Sequence, residues 1–291
     1  MSTAAPEAPA EEDSYRLELQ ATYRYLRLAI ILLTLLLGTA VCLQILSDGG
    51  AVLPSVSAYY YTPARGVFVA SLCAVGACMV IHRGRSDLED VLLNFSGYLA
   101  FFVAFVPTAR DGVAAMPDDV VDAVINNTWA ILIIGAVAFV VEIAVLPQRE
   151  RSTHTRSGRA ALVFSALAYL GLLLFFLLAR RSFLEWGHGL AAIVLFLGIV
   201  GVVGVNGVAM ARARQEAGHS TRTRWLNRYT YGFLGMIVSA ALIVLVVRPL
   251  LEQWIFVLEA ALIAQFLGFW ITQTVERWHE PEPRQDALVP G

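Results

Sequence analysis

Residues 26–46 read LRLAIILLTLLLGTAVCLQIL, and between Leu28 and Leu43 no side chain is charged. Only Thr34 and Thr39 interrupt that stretch with polar atoms. An amphipathic helix of a soluble domain would turn a polar stripe to water every 3.6 residues. A run that is apolar all round and about 20 residues long matches the ~30 Å hydrocarbon core of a bilayer instead. The rest of the chain repeats the theme. Further apolar runs at roughly 64–82, 88–107, 125–147, 159–179, 188–211, 230–248 and 253–273 predict an all-α, polytopic transmembrane bundle of about eight helices. The third run carries Asn94, Ser96 and Tyr98 and stops at Pro107, and the fourth opens on Asn126-Asn127-Thr128, so these are the least apolar.

Composition agrees with a membrane-embedded chain. Of 291 residues 58% are hydrophobic and 15% charged, with a mean hydropathy of +0.66. A soluble domain carries about 25% charged residues. A net charge of -2 argues against nucleic acid as a partner. Membrane lipids are the expected partners. All 21 basic residues are arginine, which excludes Schiff-base lysine chemistry and points to a GC-rich bacterial genome. Cys42, Cys73 and Cys78 form neither a CxxC pair nor a zinc pattern and read as small packing residues. No metal or cofactor is implied.

Residues 1–14, rich in Ala, Pro and acid, read as a disordered tail, 15–276 as the bundle and 277–291 as a second tail. With eight spans and the N-terminus inside, sixteen arginines fall on the cytoplasmic side. Only Arg65, Arg110, Arg180, Arg181 and Arg248 fall outside. The positive-inside rule predicts that asymmetry, with both termini cytoplasmic, in a bacterial inner membrane.

Small residues mark the helix–helix seams. Gly198, Gly201, Gly204 and Gly207 recur every third position and predict a smooth stripe on the sixth helix. Ala70, Ala74 and Cys78 predict a face on the second helix, and Gly97, Ala100 and Ala104 one on the third. Asn206 and Gln265 are expected to form interhelix hydrogen bonds.

Ionisable groups inside apolar runs are expensive and mark sites. Glu142 lies in the fourth run and Glu259 in the eighth, each either a proton-coupling or ligand-contacting acid or an interhelix hydrogen-bonding group. His188 opens the sixth run between two glycines, at a depth similar to that of Glu259. Between the first two runs, Ser47-Asp48-Gly49-Gly50 signals a turn. Tyr59-Tyr60-Tyr61 and Arg65 then form either an interfacial aromatic belt or the roof of a pocket, with Arg65 gripping a phosphate or carboxylate.

The pattern SxSxYYYTxARxVFVxxLxxxG, within Ser55 to Gly84, resembles a group of uncharacterised bacterial multi-pass membrane proteins. So do Leu93-Asn94-Phe95-Ser96-Gly97, Phe105 to Thr108, the His188-Gly-Leu-Ala-Ala start of the sixth run, and Glu259-Ala-x5-Phe266-x3-Trp270. The turn after the first run is faintly similar to DRAM/Sfk-like membrane proteins. Relatives in that group open the fourth span with a histidine where this chain has Asn126-Asn127-Thr128, so the resemblance carries no metal or catalytic role here.

The leading expectation is a non-enzymatic membrane protein with an outward polar pocket built from Tyr59, Tyr60, Tyr61, Arg65, His188 and Glu259, taking a lipid head group or small amphiphile. A proton-coupled transporter working through Glu142 or Glu259 is the first alternative. An intramembrane hydrolase or transferase is the second, and it lacks a phosphate loop, an HExxH and a GxSxG.

Overall fold

The computed structural model describes residues 8–109, 112–145 and 156–278. Among them it forms eight long α-helices and no strand. In chain order these are α1 (Ala8–Ser47), α2 (Arg65–Ile81), α3 (Asp87–Phe105), α4 (Asp118–Val140), α5 (Arg156–Leu178), α6 (Arg180–Glu216), α7 (Arg228–Leu242) and α8 (Trp254–Glu276). Five-residue π-helical segments, Val141–Val145 and Ile243–Val247, extend α4 and α7. Six helices are long and apolar enough to cross a membrane: α1, α3, α4, α6, α7 with its extension, and α8. The apolar parts of α2 and α5, Arg65–Ile81 and Leu162–Leu178, are shorter. At 1.5 Å per residue a 17-residue helix such as α2 reaches about 26 Å, the lower limit for a span.

Consecutive helices run antiparallel. The described ends of α1 and α8 therefore lie on one face, where the Arg24 guanidinium sits 5.6 Å over the Trp278 ring. We call this the N-terminal face and the other the distal face. Helix ends follow local chemistry. Gly49 and Gly50, at φ 68° and 92°, take the left-handed conformation that ends α1, as the Asp-Gly-Gly turn predicts. Ser86 caps α3, its hydroxyl accepting from the Glu89 N–H at 3.2 Å. Asn227 caps α7 and also donates to the Gly207 carbonyl of α6.

The helix that looks weakest in sequence stands at the centre. In α3, 61% of the apolar window is buried, against 39% in α6 and 28% or less in the other four spans. Its polar residues are tolerable because they meet protein rather than lipid. Ser96 is fully buried against Gly198, and the Tyr98 hydroxyl donates to the Ile131 carbonyl at 3.1 Å. The backbones of α2 and α3 touch: a Cβ added at Gly97 would lie 2.6 Å from the Gly76 carbonyl oxygen. The glycine stripe of α6 serves two neighbours as it winds. Gly198 and Gly201 meet Ser96 and Leu92 of α3, whereas Gly204 and Gly207 meet Phe233 and Thr230 of α7. On α2, Phe68, Ser71, Val75, Gly76 and Met79 are the buried face. Ala70 is exposed, so the stripe read at Ala70, Ala74 and Cys78 is not that helix's seam.

Candidate functional site

The distal face is closed by residues 48–64, the link between α1 and α2. This link is bound to the start of α8, where the Phe256 N–H donates to the Pro54 carbonyl at 2.9 Å. Its 3-10 turn, Ser57–Tyr61, lies on the bundle end. Glu259 comes up from α8 to meet it. The Ser57 N–H donates to one carboxylate oxygen and the Ser57 hydroxyl to the other, both at 3.2 Å. A carboxylate in an apolar helix needs such donors, because unpaired ionised groups in hydrocarbon cost several kcal/mol.

The same turn carries the tyrosines. Tyr59 and Tyr60 are buried, and Tyr61 is half-buried. Burial, the largest effect, pushes the Tyr59 phenol above its ordinary range; the Leu53 N–H that it accepts at 3.3 Å works the other way. Arg65, exposed at the start of α2, donates to the Tyr60 hydroxyl at 2.6 Å, its guanidinium 4.2 Å from the centre of that ring. Such stacking contributes about 0.5–1 kcal/mol at exposed sites. Tyr61 donates to the Thr108 carbonyl at 2.9 Å, beyond the end of α3. Two residues earlier in that segment, the Val106 carbonyl lies 2.6 Å from His188 Nδ1.

The six residues named from sequence therefore divide. Glu259, Tyr59, Tyr60 and Arg65 belong to one turn and its contacts, and Tyr61 joins the same turn to residues 106–108. His188 reaches that segment from the other side, inside α6, which begins at Arg180. His188 and Glu259 share no hydrogen bond among the described residues. The side chain of Glu142 lies outside the described residues, in the π-helical extension of α4.

A second polar assembly, on the N-terminal face, is absent from the sequence reading. Arg27, His82, Asp87, Glu89, Asp90, Asn206, Gln273 and Arg277 are all buried there. They come from α1, the α2–α3 connection, α3, α6 and α8. Asn206 is the keystone. Its amide donates to Glu89 at 2.8 Å, and its oxygen accepts from Arg277 at 3.2 Å and Gln273 at 3.4 Å. The other Glu89 oxygen accepts from the Arg85 N–H at 2.9 Å. The His82 ring stands edge-on to Trp270 at 5.0 Å and to Tyr23 at 6.2 Å. Burial first, then the Arg27 and Arg277 charges, push the His82 imidazole down to about 3. Part of this was legible. Ser86-Asp87-Leu88-Glu89 is a capping-box sequence, and Glu89 turns one oxygen to the backbone just before the cap and the other to α6. The expected interhelix bonds of Asn206 and Gln265 are present, the latter to Ser239 Oγ at 2.9 Å.

Among the described residues no cluster of three or more His, Cys, Asp or Glu could hold a metal ion. No protein-family model matches the chain, and comparisons with curated proteins and with solved structures find no match.

Proposed function

We propose that the chain is a multi-pass protein of the bacterial inner membrane, both ends cytoplasmic, that binds the head group of a lipid or small amphiphile at its outward face. The observation that supports this is the Ser57–Glu259 tether beside the exposed Arg65. The Glu259 carboxylate of α8 meets Ser57 at the start of the 3-10 turn, and the Arg65 guanidinium of α2 meets Tyr60 near its end. That pair suits a zwitterionic head group, its phosphate toward Arg65 and its amine or hydroxyl toward Glu259.

The proton-coupled alternative through Glu142 or Glu259 is less favoured, because a carboxylate held by a backbone N–H and a hydroxyl is built to stay in place. A serine hydrolase centred on His188 is less favoured still, since the Ser57 hydroxyl is engaged by Glu259 and His188 by a backbone carbonyl.

Native mass spectrometry of the protein released from its own membranes tests the reading. Bound lipid is expected on the unaltered chain and is expected to fall at least fivefold in R65A and E259Q. Equal lipid on all three sinks it. Labelling Asp48→Cys in intact cells with an impermeant maleimide, in a background lacking the native cysteines, tests the orientation. Labelling only after lysis reverses it.

A further inference from the structure

On the N-terminal face, the connection from α6 to α7 (residues 212–228) holds five arginines and one acid, Glu216. Asn227 fixes its level, because the side chain of that cap donates to the Gly207 carbonyl of α6 at 3.2 Å. Beyond Gly207, α6 runs on to Glu216, a rise of about 14 Å at 1.5 Å per residue. The head-group layer of one leaflet is about 5–8 Å deep. The connection therefore starts among head groups and reaches water.

Two of the arginines hold its shape. Arg214 donates to the Leu226 carbonyl at 2.8 Å, and Arg224 donates to the Gln215 side chain. Gly218, at φ 84°, takes the left-handed conformation that ends α6. Both arginines use neutral acceptors, so neither is neutralised. Arg212, Arg222 and Arg228 are exposed, and among the described residues they make no hydrogen bond, ion pair or ring contact.

Helical periodicity shows which way two of these point. On α6, Leu190, Ile193, Leu197 and Val208 are exposed at i, i+3, i+7 and i+18, which is one stripe. On a helix that crosses a membrane such a stripe meets lipid. Arg212 follows Val208 by four residues and continues it. On α7, Tyr231, Leu234, Val238 and Leu242 are exposed at i, i+3, i+7 and i+11, and Arg228 stands three residues before Tyr231. Each lipid-facing stripe thus ends on an exposed guanidinium, at the same end of the bundle. Trp225 and Leu226, also exposed, directly precede the α7 span, where an indole settles at the head-group level.

We propose that the α6–α7 connection is a docking surface for acidic phospholipid, whose phosphates pair with Arg212 and Arg228 while Trp225 lies at the head-group level. A zwitterionic lipid would bring an ammonium to a surface with five arginines and one acid, so the acidic head group is the better match. This site is separate from the one at Glu259 and does not rest on it.

The test uses the full chain in phosphatidylcholine vesicles, with phosphatidylglycerol or phosphatidylcholine spin-labelled near the chain end as the probe. The motionally restricted fraction of each, read by electron spin resonance, gives their relative association. In about 0.05 M salt, phosphatidylglycerol is expected to associate about threefold more strongly, and about 1 M salt is expected to remove the preference. R212Q/R228Q is expected to lower it to about 1.5-fold. R156Q/R159Q removes the same charge from the exposed start of α5 on the same face and is expected to leave it above about twofold. Each variant is first checked for monodisperse elution and an unchanged melting curve. The single variants R212Q and R228Q, each expected near about twofold, keep the test open if the double variant does not fold. Variants at Arg212 and Arg228 that keep the full preference, an equal loss in R156Q/R159Q, a preference that survives 1 M salt, or an unaltered chain that prefers neither lipid each overturns the proposal.

Discussion

Replacing Asn206 by alanine tests the N-terminal assembly at its keystone. The substitution removes the donor to Glu89 at 2.8 Å and the shared acceptor for Arg277 and Gln273 at 3.2 and 3.4 Å. All four side chains are buried. A hydrogen bond to a charged group is worth about 1.5–3 kcal/mol, and breaking a buried charged arrangement by removing one partner costs about 3–5 kcal/mol. The weaker Gln273 bond adds little. Asn206→Ala is therefore expected to lose about 3–5 kcal/mol. Gln265→Ala, which breaks one neutral bond to Ser239, is expected to lose about 0.6 kcal/mol, typical of interhelix bonds in membranes. Reversible unfolding by dodecyl sulfate in mixed micelles, followed by far-ultraviolet circular dichroism, measures both. A cycle with Glu89→Gln isolates the Asn206–Glu89 term, expected at about 1.5–3 kcal/mol of coupling. A loss below about 1 kcal/mol for Asn206→Ala, or a cycle that closes to zero, would refute the keystone assignment.

Three further outcomes are expected. Gly97→Ala forces a Cβ to 2.6 Å from a backbone oxygen, so α2 and α3 must part, at about 1–3 kcal/mol. Gly38→Ala, with open space around it, is expected to cost nothing, and equal melting temperatures for the two would contradict the close approach. His82 binds its proton at about 3 in the fold against 6.5 when unfolded. Its contribution is thus fully present above pH 6.5 and is lost as pH falls toward 3. Between pH 6.5 and 4.5 the loss amounts to about 2–3 kcal/mol, so His82→Phe should unfold with that much less acid dependence over this range. An unchanged slope would mean that His82 is not held neutral. Ser57→Ala keeps the backbone donor to Glu259 and loses the hydroxyl. A loss of about 1 kcal/mol in the same denaturation assay is expected, and none would show that the hydroxyl bond is idle.

The sequence by itself determined that the chain is helical and where most of its helices lie, although α1 and α6 begin well ahead of the runs at 26–46 and 188–211. Apolar runs placed at 64–82 and 253–273 differ by only a few residues from helices Arg65–Ile81 and Trp254–Glu276. Hydropathy is a one-dimensional signal, so a long apolar run is legible without any tertiary contact. The turn at Ser47 to Gly50, the packing use of the α6 glycines and the interhelix roles of Asn206 and Gln265 were legible for the same kind of local reason.

What the tertiary structure alone decided is azimuth, which side of each helix meets which neighbour. It joined Glu259 to Ser57, 202 residues away, rather than to His188, which meets the Val106 carbonyl instead. It set α3, the least apolar of the early runs, at the centre, and it drew Glu89, Asn206, Gln273 and Arg277 into one buried network. Lipid is equally favourable to every side of an apolar helix and supplies no force that rotates it. That choice falls to close packing at small residues and to the need of each buried polar group for a partner, and both depend on contacts between segments far apart in the chain.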